Sequence, residues 1–281
     1  MITLTHTIFE THKTIQQQIS EGKTIGFVPT MGALHEGHLT LIQRAALEND
    51  FVVVSIFVNP IQFNNPEDLD KYPRDLQADL QLLGGTGCKL VFAPSVEEMY
   101  PEPDLTEFDF GLLDRVMEGK FRPGHFKGVA IAVKRLFEIV TPHKAYFGEK
   151  DFQQLAILKK MVNMKQLPVA IVSCPIVREP DGLAISSRNA RLTAEERAEA
   201  SLIYKALSGI KENYSWFIPD GVKQLVRGEI QESPYFRVEY VDVVDAETLQ
   251  PFEDWQDVEH AVVCVAVFIG KVRLIDNIVL F

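Results

Sequence analysis

The chain has 281 residues, of which 46% are hydrophobic and 24% charged, and its formal net charge is −11. This length allows one large domain or two medium ones, and the composition is that of an ordinary globular protein. The acidic balance disfavours a nucleic-acid-binding surface, although a local basic cluster could still hold ATP. No apolar run reaches about 18 residues, so we expect no membrane span.

The start of the chain and its cysteines indicate the compartment. The first residues, Met1-Ile2-Thr3-Leu4-Thr5-His6, lack the basic and apolar regions of a signal peptide. Cys88, Cys174 and Cys264 lie far apart within apolar runs and lack metal-ligand spacing. We therefore expect reduced core thiols in a cytoplasmic protein.

The first two-thirds of the chain alternates strand-like and helix-like segments. Continuous apolar or β-branched runs predict strands, and apolar residues at helical spacing predict helices. In chain order the predicted elements are a strand over 24–28, a helix over about 36–47, a strand over 51–58, a helix over 75–83, a strand over 89–93, a helix over 129–140, a strand over 144–147, a helix over 152–164 and a strand over 169–172. This order predicts an α/β fold with a doubly wound parallel (Rossmann-like) sheet and ligands at the carboxyl ends of its strands.

The pattern changes after about residue 177. The capping-box sequence Thr193-Ala194-Glu195-Glu196 predicts a helix start, and Gly270-Lys271 predicts a hairpin between two strands. The predicted elements here are helices over 193–213 and 221–227 and strands over 236–244, 261–269 and 272–278. We therefore expect a Rossmann-like domain over residues 1–177 and a smaller C-terminal α+β domain over residues 178–281.

The segment Pro29–His38, with sequence PTMGALHEGH, carries the strongest functional signal. It joins a predicted strand to a predicted helix, and it places His35 and His38 on either side of Gly37. A helix N-terminus attracts phosphate, residues at i and i+3 share a helix face, and glycine leaves room for a flat ring. The pattern predicts a nucleotide site. A surface turn with two solvated histidines is the alternative from these residues alone.

Three further polar clusters each have two interpretations. The segment Asn59-Pro60-Ile61-Gln62-Phe63 could bind a hydroxyl or carboxylate through its glutamine, or form an ordinary Asn-Pro turn. The segment 148–154 offers Lys150 to a phosphate, or is a charged helix start capped by Asp151. The segment 181–189 could clamp phosphates with two hydroxyls and an arginine, or link two domains, and both can hold together.

A basic segment and several missing motifs narrow the chemistry. Residues 121–128 carry three basic side chains before a predicted helix, which could bind an acidic substrate or triphosphate or form a solvated loop. The sequence lacks a Gly-x-x-x-x-Gly-Lys-Ser/Thr phosphate loop, a Gly-x-Gly-x-x-Gly fingerprint and a Gly-x-Ser-x-Gly elbow. With no obvious nucleophile, the predicted site favours positioning and charge stabilisation, as in attack on the α-phosphate of ATP.

Five segments together resemble the pantothenate synthetase (pantoate–β-alanine ligase) family. This family belongs to the nucleotidyl-transferring α/β-phosphodiesterase superfamily, which carries a His-x-Gly-His motif. The matching segments, in order and with matching spacing, are 29–38, 57–63, 122–126, 147–151 and 182–189. Two features depart from the patterns of this group. Ile185 stands where the family often has methionine, and the lysines of the Lys-Met-Ser-Lys-Ser loop of class I aminoacyl-tRNA synthetases are missing, which is usual in this family.

The resemblance implies a reaction and its partners. ATP would drive the condensation of (R)-pantoate with β-alanine through a pantoyl adenylate, releasing AMP and pyrophosphate, and Mg²⁺ would accompany the triphosphate. The alternatives are an adenylyltransferase of the same superfamily acting on another small acid, and a nucleotide-binding module with a decayed site. We expect a homodimer without nucleic-acid or membrane partners. Residues 1–177 would bind ATP and pantoate, and residues 178–281 would form a lid over the active site.

The same resemblance assigns the site residues. The ATP-binding residues would be Met31, Gly32, Ala33, Leu34, His35, Glu36, Gly37, His38, Gly148, Glu149, Lys150, Asp151, Val177, Ile185, Ser186, Ser187 and Arg188. The catalytic residues among them would be His35, His38, Lys150, Ser186, Ser187 and Arg188, with His38 as the general acid. The pantoate-binding residues would be Gln62, Gln154, Asn59 and His125. No metal ligands are assigned.

Overall fold

The computed structural model describes residues 2–281, which form two compact units built from discontinuous parts of the chain. The first unit runs to Phe110 and also contains Arg122–Glu149 and Gln154–Pro175. The second unit contains Gly111–Phe121, Lys150–Gln153 and Ile176–Phe281. Two short pieces from the first two-thirds of the chain therefore belong to the second unit.

A six-stranded parallel sheet forms the centre of the first unit. Its strands are β1 (Thr3–Thr5), β2 (Ile25–Thr30), β3 (Phe51–Ile56), β4 (Cys88–Phe92), β5 (Lys144–Gly148) and β6 (Ala170–Cys174). Their order across the sheet is β1-β4-β3-β2-β5-β6, and each neighbouring pair is parallel. The predicted Rossmann-like parallel sheet is therefore confirmed.

Eleven α-helices are described over residues 2–281. In chain order they are α1 (Ile8–Ser20), α2 (Glu36–Glu48), α3 (Pro66–Asp70), α4 (Leu76–Leu82), α5 (Val96–Met99), α6 (Met117–Phe121), α7 (His125–Val140), α8 (Phe152–Lys165), α9 (Ala194–Glu199), α10 (Leu202–Asn213) and α11 (Pro219–Gln231). Short 3-10 turns cover 60–62, 149–151, 187–191, 214–216 and 255–257.

Helices cover both faces of the parallel sheet because side chains alternate along a strand. On one face Val28 joins the apolar cluster that includes Ile42 and Ala45 of α2. On the other face the Phe27 ring meets the Phe137 ring of α7 edge to face, with centroids 6.2 Å apart. Val28 and Phe27 are both fully buried, so β2 lies at the centre of the doubly wound sheet.

The structure corrects several predicted bounds. The helix predicted over 129–140 begins at His125, because Gly124 adopts a left-handed φ of 80° and ends the preceding turn. His125 and Lys127 therefore lie in the first turn of α7 and not in a loop before it. The helix predicted over 193–213 is interrupted at Ala200 and Ser201, and β1 and α1 were not predicted at all.

The second unit contains an antiparallel three-stranded sheet, with helices α9 to α11 in the same unit. Its strands β7 (Phe236–Asp245), β8 (Ala261–Ile269) and β9 (Val272–Val279) lie in sequence order. The predicted hairpin is confirmed, since Ile269 pairs with Val272 across Gly270, whose φ is 54°. The predicted capping box is also confirmed: the Glu196 backbone N–H donates to Thr193 Oγ1 at 3.2 Å, and the Thr193 N–H donates to Glu196 Oε2 at 2.9 Å.

A buried charge network lies inside the second unit. The Arg273 guanidinium donates to both carboxylate oxygens of Glu118, at 2.6 and 2.9 Å, and to Glu239 Oε2 at 2.6 Å. Tyr240 donates its hydroxyl proton to Glu118 Oε1 at 2.8 Å, and burial raises the pKa of this tyrosine. Arg273 therefore forms ion pairs with both Glu118 and Glu239, whose side chains are only 8% and 15% exposed.

The three cysteines of the chain lie in its interior. Cys88, Cys174 and Cys264 are free and buried, and burial raises the pKa of the Cys88 thiol to about 12. The prediction of core thiols is therefore confirmed. Among residues 2–281, no helix combines the length and the apolar composition that crossing a bilayer needs.

We predict that Arg273→Met destabilises the second unit by about 3–5 kcal/mol, because it leaves two carboxylates buried without their cation. The matched control is Arg237→Met, since this exposed arginine lies over the Phe268 ring and should cost about 1 kcal/mol or less. Trp216 and Trp255 both belong to the second unit, so tryptophan fluorescence during urea unfolding reports on it. Equal losses in the two variants would contradict the prediction.

Candidate active site

An opening lies within the first unit where the strand order reverses. β2 pairs with β3 along its whole length, from Ile25 to Thr30. On its other side, β2 pairs with β5 only through Gly26 and Phe27. The carboxyl half of β2 therefore has no ladder partner in β5. In parallel sheets this reversal point is where ligands bind.

The segment Met31–His38, which we call the histidine turn, leaves β2 at this opening. Gly32 has a φ of 79° and Ala33 a φ of 51°, so two consecutive residues adopt the left-handed region. For Ala33 this conformation costs roughly 1–2 kcal/mol. The strained turn therefore needs contacts from the surrounding structure to hold it.

Asp79 on α4 supplies the main contacts to this turn. Its Oδ1 accepts the Leu34 backbone N–H at 2.7 Å and its Oδ2 accepts the Ala33 N–H at 3.1 Å. The residue is only 3% exposed. Burial raises the pKa of the Asp79 carboxyl, while the two amide hydrogen bonds oppose that rise.

Asp79 was not predicted as a site residue. The sequence did contain a signal, because Asp79 falls on the same helical stripe as Leu76, Leu80 and Leu83. A carboxylate on a stripe of leucines should find hydrogen-bond donors inside the fold, since a buried charge without them is costly.

The two imidazoles of the histidine turn lie side by side. Their ring centroids are 4.1 Å apart, and His38 Nδ1 accepts the backbone N–H of His35 at 3.3 Å. Because a backbone N–H can only donate, Nδ1 must carry a lone pair, and neutral His38 carries its proton on Nε2. The structure thus brings together the two histidines that the sequence singled out.

Gly37 packs directly against the His35 ring. A Cβ at position 37 would lie 3.1 Å from both Cε1 and Nδ1 of that ring. The sequence predicts that this glycine leaves room for a flat ring. In the structure, the ring that needs the room is that of His35.

A polar cluster in the same unit joins residues predicted to bind the acid substrate. Asn59 Nδ2 donates to Gln62 Oε1 at 3.0 Å, and Gln62 Nε2 donates to the Met31 thioether at 3.2 Å. The Tyr100 hydroxyl donates to Asn59 Oδ1 at 3.0 Å, and sequence reasoning missed this tyrosine. His125 Nδ1 bonds the Gln62 carbonyl at 2.8 Å, and because a carbonyl only accepts, neutral His125 has its lone pair on Nε2.

Gly148 and Gln154 are two more predicted site residues in the first unit. Gly148 ends β5, and a Cβ there would meet no atom within 4 Å. The space beside this strand end is therefore open. Gln154 is half-buried in the first turn of α8, and Glu149 begins the 3-10 turn that leads into that helix.

The second unit holds the remaining predicted residues. Ser186 Oγ accepts the Arg188 backbone N–H at 3.3 Å and so begins the 3-10 turn that contains Ser187. Ile185 donates its backbone N–H to the Val177 carbonyl at 3.0 Å. This local pairing fixes the segment that carries the two hydroxyls and the arginine.

Lys150 is also placed within the second unit, beside that segment. Its carbonyl accepts from Asn277 Nδ2 at 3.0 Å. Lys150, Ser186, Asn189 and Asp276 help to line a cavity of ≈ 10 Å³, about the room that one water needs. Asp151 is exposed in the turn that precedes α8.

The part of the chain that the structure describes offers no group of three or more His, Cys, Asp or Glu side chains arranged to hold a metal ion. Such residues are the usual ligands of a protein-held metal.

We predict that Gly32→Ala destabilises the first unit more than Gly22→Ala does. Both glycines have a φ of 79°, but a Cβ at Gly22 meets nothing within 4 Å, whereas one at Gly32 lies 2.9 Å from Asp79 Oδ2. Gly22→Ala should cost about 1–2 kcal/mol from backbone strain, and Gly32→Ala about 1 kcal/mol or more beyond that. Scanning calorimetry would measure both losses, and equal values would show that contact with Asp79 does not constrain the turn.

Comparison with known proteins identifies the family. The pantoate-beta-alanine ligase family model matches residues 3–279. A pantothenate synthetase of Porphyromonas gingivalis is 55% identical over 259 residues, which cover 92% of this chain and 92% of that protein. The solved pantothenate synthetase of Thermus thermophilus has a TM-score of 0.93 and 44% identity, with 100% of both chains covered. The pantoate-beta-alanine ligase of Francisella tularensis, solved in complex with beta-gamma ATP and beta-alanine, has a TM-score of 0.82 and 36% identity, covering 100% of this chain and 98% of that one. The chain therefore belongs to the pantoate–β-alanine ligase family, whose members are C–N bond-forming ligases.

Proposed function

We propose that this chain condenses (R)-pantoate with β-alanine at the expense of ATP, forming pantothenate, AMP and pyrophosphate. The observation that carries the proposal is the histidine turn at the reversal point of the sheet in a chain of this family. The Francisella tularensis relative was solved with beta-gamma ATP and beta-alanine, which supports the same substrates here.

In the first step, a carboxylate oxygen of pantoate attacks the α-phosphorus of ATP. The bond from that phosphorus to the bridging oxygen breaks, pyrophosphate leaves, and pantoyl adenylate remains. His38 can donate the proton on Nε2 to a phosphate oxygen, and His35 lies beside it. Donors placed in advance where negative charge develops lower the barrier of such a step.

The cluster around Gln62 suits a hydroxy acid. The amide groups of Gln62 and Gln154 can donate to a carboxylate, and the Nε2 lone pair of His125 can accept a hydroxyl proton. Asn59 is buried and donates both Nδ2 hydrogens within the protein, to Gln62 Oε1 and to the Gly128 carbonyl, so it holds Gln62 in place. Pantoate carries both a carboxylate and hydroxyl groups. We therefore assign Gln62, His125 and Gln154 to pantoate, with Asn59 supporting Gln62.

In the second step, the amine of β-alanine attacks the carbonyl carbon of the adenylate. The C–O bond to the phosphate breaks, AMP leaves with that oxygen, and the nitrogen loses a proton to become the amide. Lys150 and Arg188 would neutralise phosphate charge, and Ser186 and Ser187 would donate hydroxyl hydrogen bonds. Mg²⁺ bound to the triphosphate would supply further charge neutralisation.

The remaining nucleotide contacts are assigned by family resemblance. The backbone N–H of Ile185 is already bonded to Val177, so a contact from Ile185 to adenine would use its carbonyl or side chain. Residues 178–281 acting as a lid, a homodimeric assembly and a cytoplasmic location stay predictions.

An adenylyltransferase acting on another small acid is the second candidate, because it would share the histidine turn. The two reactions differ in where AMP ends. A ligase releases free AMP when the amide forms, whereas an adenylyltransferase leaves AMP on its product. The fate of AMP therefore separates the two functions.

The test is AMP and pyrophosphate release by the purified protein with ATP and Mg²⁺, omitting each acid in turn. We expect AMP release to require both pantoate and β-alanine, and isotope exchange between pyrophosphate and ATP to require pantoate alone. Folded protein that turns over no ATP under these conditions would rule out the ligase.

We predict that His38→Asn lowers kcat by about 10²-fold or more, because the Asn amide oxygen can replace Nδ1 but nothing replaces the Nε2 proton. His38→Gln should retain more activity, since its amide nitrogen reaches the former position of Nε2. His12→Ala, in an exposed turn of α1, is the control and should leave kcat unchanged. Wild-type turnover in His38→Asn would remove His38 from the mechanism.

A further inference from the structure

The histidine turn directs two of its backbone donors into the protein. The N–H groups of Ala33 and Leu34 both end on the Asp79 carboxylate, at 3.1 and 2.7 Å. Both residues belong to the segment expected to bind ATP. Their amide hydrogens are therefore already bonded, and any contact that they make with a nucleotide must use another group.

The carboxylate lies flush against the turn. A Cβ on Gly32 would come within 2.9 Å of Asp79 Oδ2 and 3.1 Å of Ile56 Cγ2. With Gly32 and Ala33 in left-handed conformations, the N–H groups of Ala33 and Leu34 both point at the Asp79 side chain. The close approach of the Asp79 carboxylate therefore requires a residue without a Cβ at position 32.

Asp79 is itself rigidly held. Its backbone N–H donates to the Asp75 carbonyl and its carbonyl accepts the Leu83 N–H, each at 3.0 Å, as part of α4. Leu83 is fully buried and joins the apolar cluster that contains Val28 of β2. The core therefore fixes the position of the carboxylate relative to the strand from which the turn departs.

We propose that Asp79 is the positioning residue of the histidine turn: its two oxygens hold the Ala33 and Leu34 amides so that His35 and His38 keep the geometry used in adenylation. The proposal rests on the proposed function, because Asp79 acts on the reaction only through the turn. It also assigns the Ala33 and Leu34 N–H groups to Asp79 and not to phosphate.

Replacing Asp79 by asparagine tests the two hydrogen bonds of its carboxylate specifically. A carboxylate offers two acceptor oxygens to two donors, whereas asparagine offers one oxygen and one NH₂ group. In Asp79→Asn, one loop amide must therefore face another donor. The variant changes hydrogen bonding with almost no change in volume.

The chain offers a matched control on the same helix. Asp75 is exposed and caps α4 by accepting the Ala78 N–H. Asp75→Asn removes the same charge from the same helix, while asparagine remains a good N-cap. It leaves the two oxygens of Asp79 and the loop amides in place.

The experiment compares both variants in steady-state kinetics and in amide NMR spectra of the labelled full chain. We expect Asp79→Asn to lower kcat about 10- to 100-fold, as a small misplacement of reacting groups does, and to leave the KM for β-alanine within about twofold of wild type. The Ala33 and Leu34 amide proton resonances should move upfield on loss of the carboxylate. Asp75→Asn should change neither kcat nor those two resonances.

A kcat for Asp79→Asn equal to that of wild type, with unmoved Ala33 and Leu34 resonances, would overturn the proposal. If Asp79→Asn does not fold, hydrogen exchange in the wild-type protein decides: both amides should exchange as slowly as those inside α2, and fast exchange would overturn the proposal. If the wild-type chain forms no amide from its substrates but the two resonances still move in Asp79→Asn, the proposed function fails while the contact stands.

Discussion

The ladder between β2 and β5 ends after two residue pairs, and the position of the site follows from that. Gly26 and Phe27 pair with Lys144 and Ala145, after which β5 continues beside β6 as far as Gly148. β2 meanwhile continues beside β3 up to Thr30. Two neighbouring strands thus part toward their carboxyl ends, and the histidine turn leaves β2 at the gap between them.

The histidine turn exists because the chain must leave β2 at this gap and enter α2 within a few residues. Thr30 Oγ1 accepts the Gly32 N–H and donates to the Ser55 carbonyl, which ties the start of the turn to β3. The left-handed residues that follow cost free energy, and a buried carboxylate offsets it with two hydrogen bonds. The left-handed backbone of Gly32 and Ala33 is therefore the cost of placing the rings of His35 and His38 directly after β2.

Two histidines of the candidate site differ in what they offer to a ligand. His38 accepts a backbone N–H through Nδ1, so its neutral form offers a proton at Nε2. His125 donates to a carbonyl through Nδ1, so its neutral form offers a lone pair at Nε2. One ring suits a phosphate oxygen and the other suits a hydroxyl, and this difference is why we propose that they serve different substrates.

Much of the fold could be predicted because its periodic patterns are strong. The buried run of β3, the capping box at Thr193 and the hairpin at Gly270 are local signals, and the structure confirms each. β1 and α1 escaped prediction because β1 is a short edge strand and α1 buries only Thr11 and Ile15.

For the candidate site, residues in local motifs could be predicted from the sequence, whereas residues joined by long-range contacts could not. The histidine turn and Gln62 lie in short motifs that a sequence displays directly. Asp79 and Tyr100 contact residues about 40 or more positions away, at Leu34 and Asn59. The leucine stripe marks Asp79 as a buried carboxylate, but only the folded chain shows which donors these two side chains meet.

In the proposed reaction, the acid is activated when its carboxylate attacks the α-phosphorus of ATP. The most direct measurement uses pantoate labelled with ¹⁸O in both carboxylate oxygens, followed by mass analysis of every phosphorus-containing product. We expect one ¹⁸O in AMP and none in pyrophosphate, because the attacking oxygen leaves with AMP when the amide forms. Label in orthophosphate, or AMP without label, would contradict it.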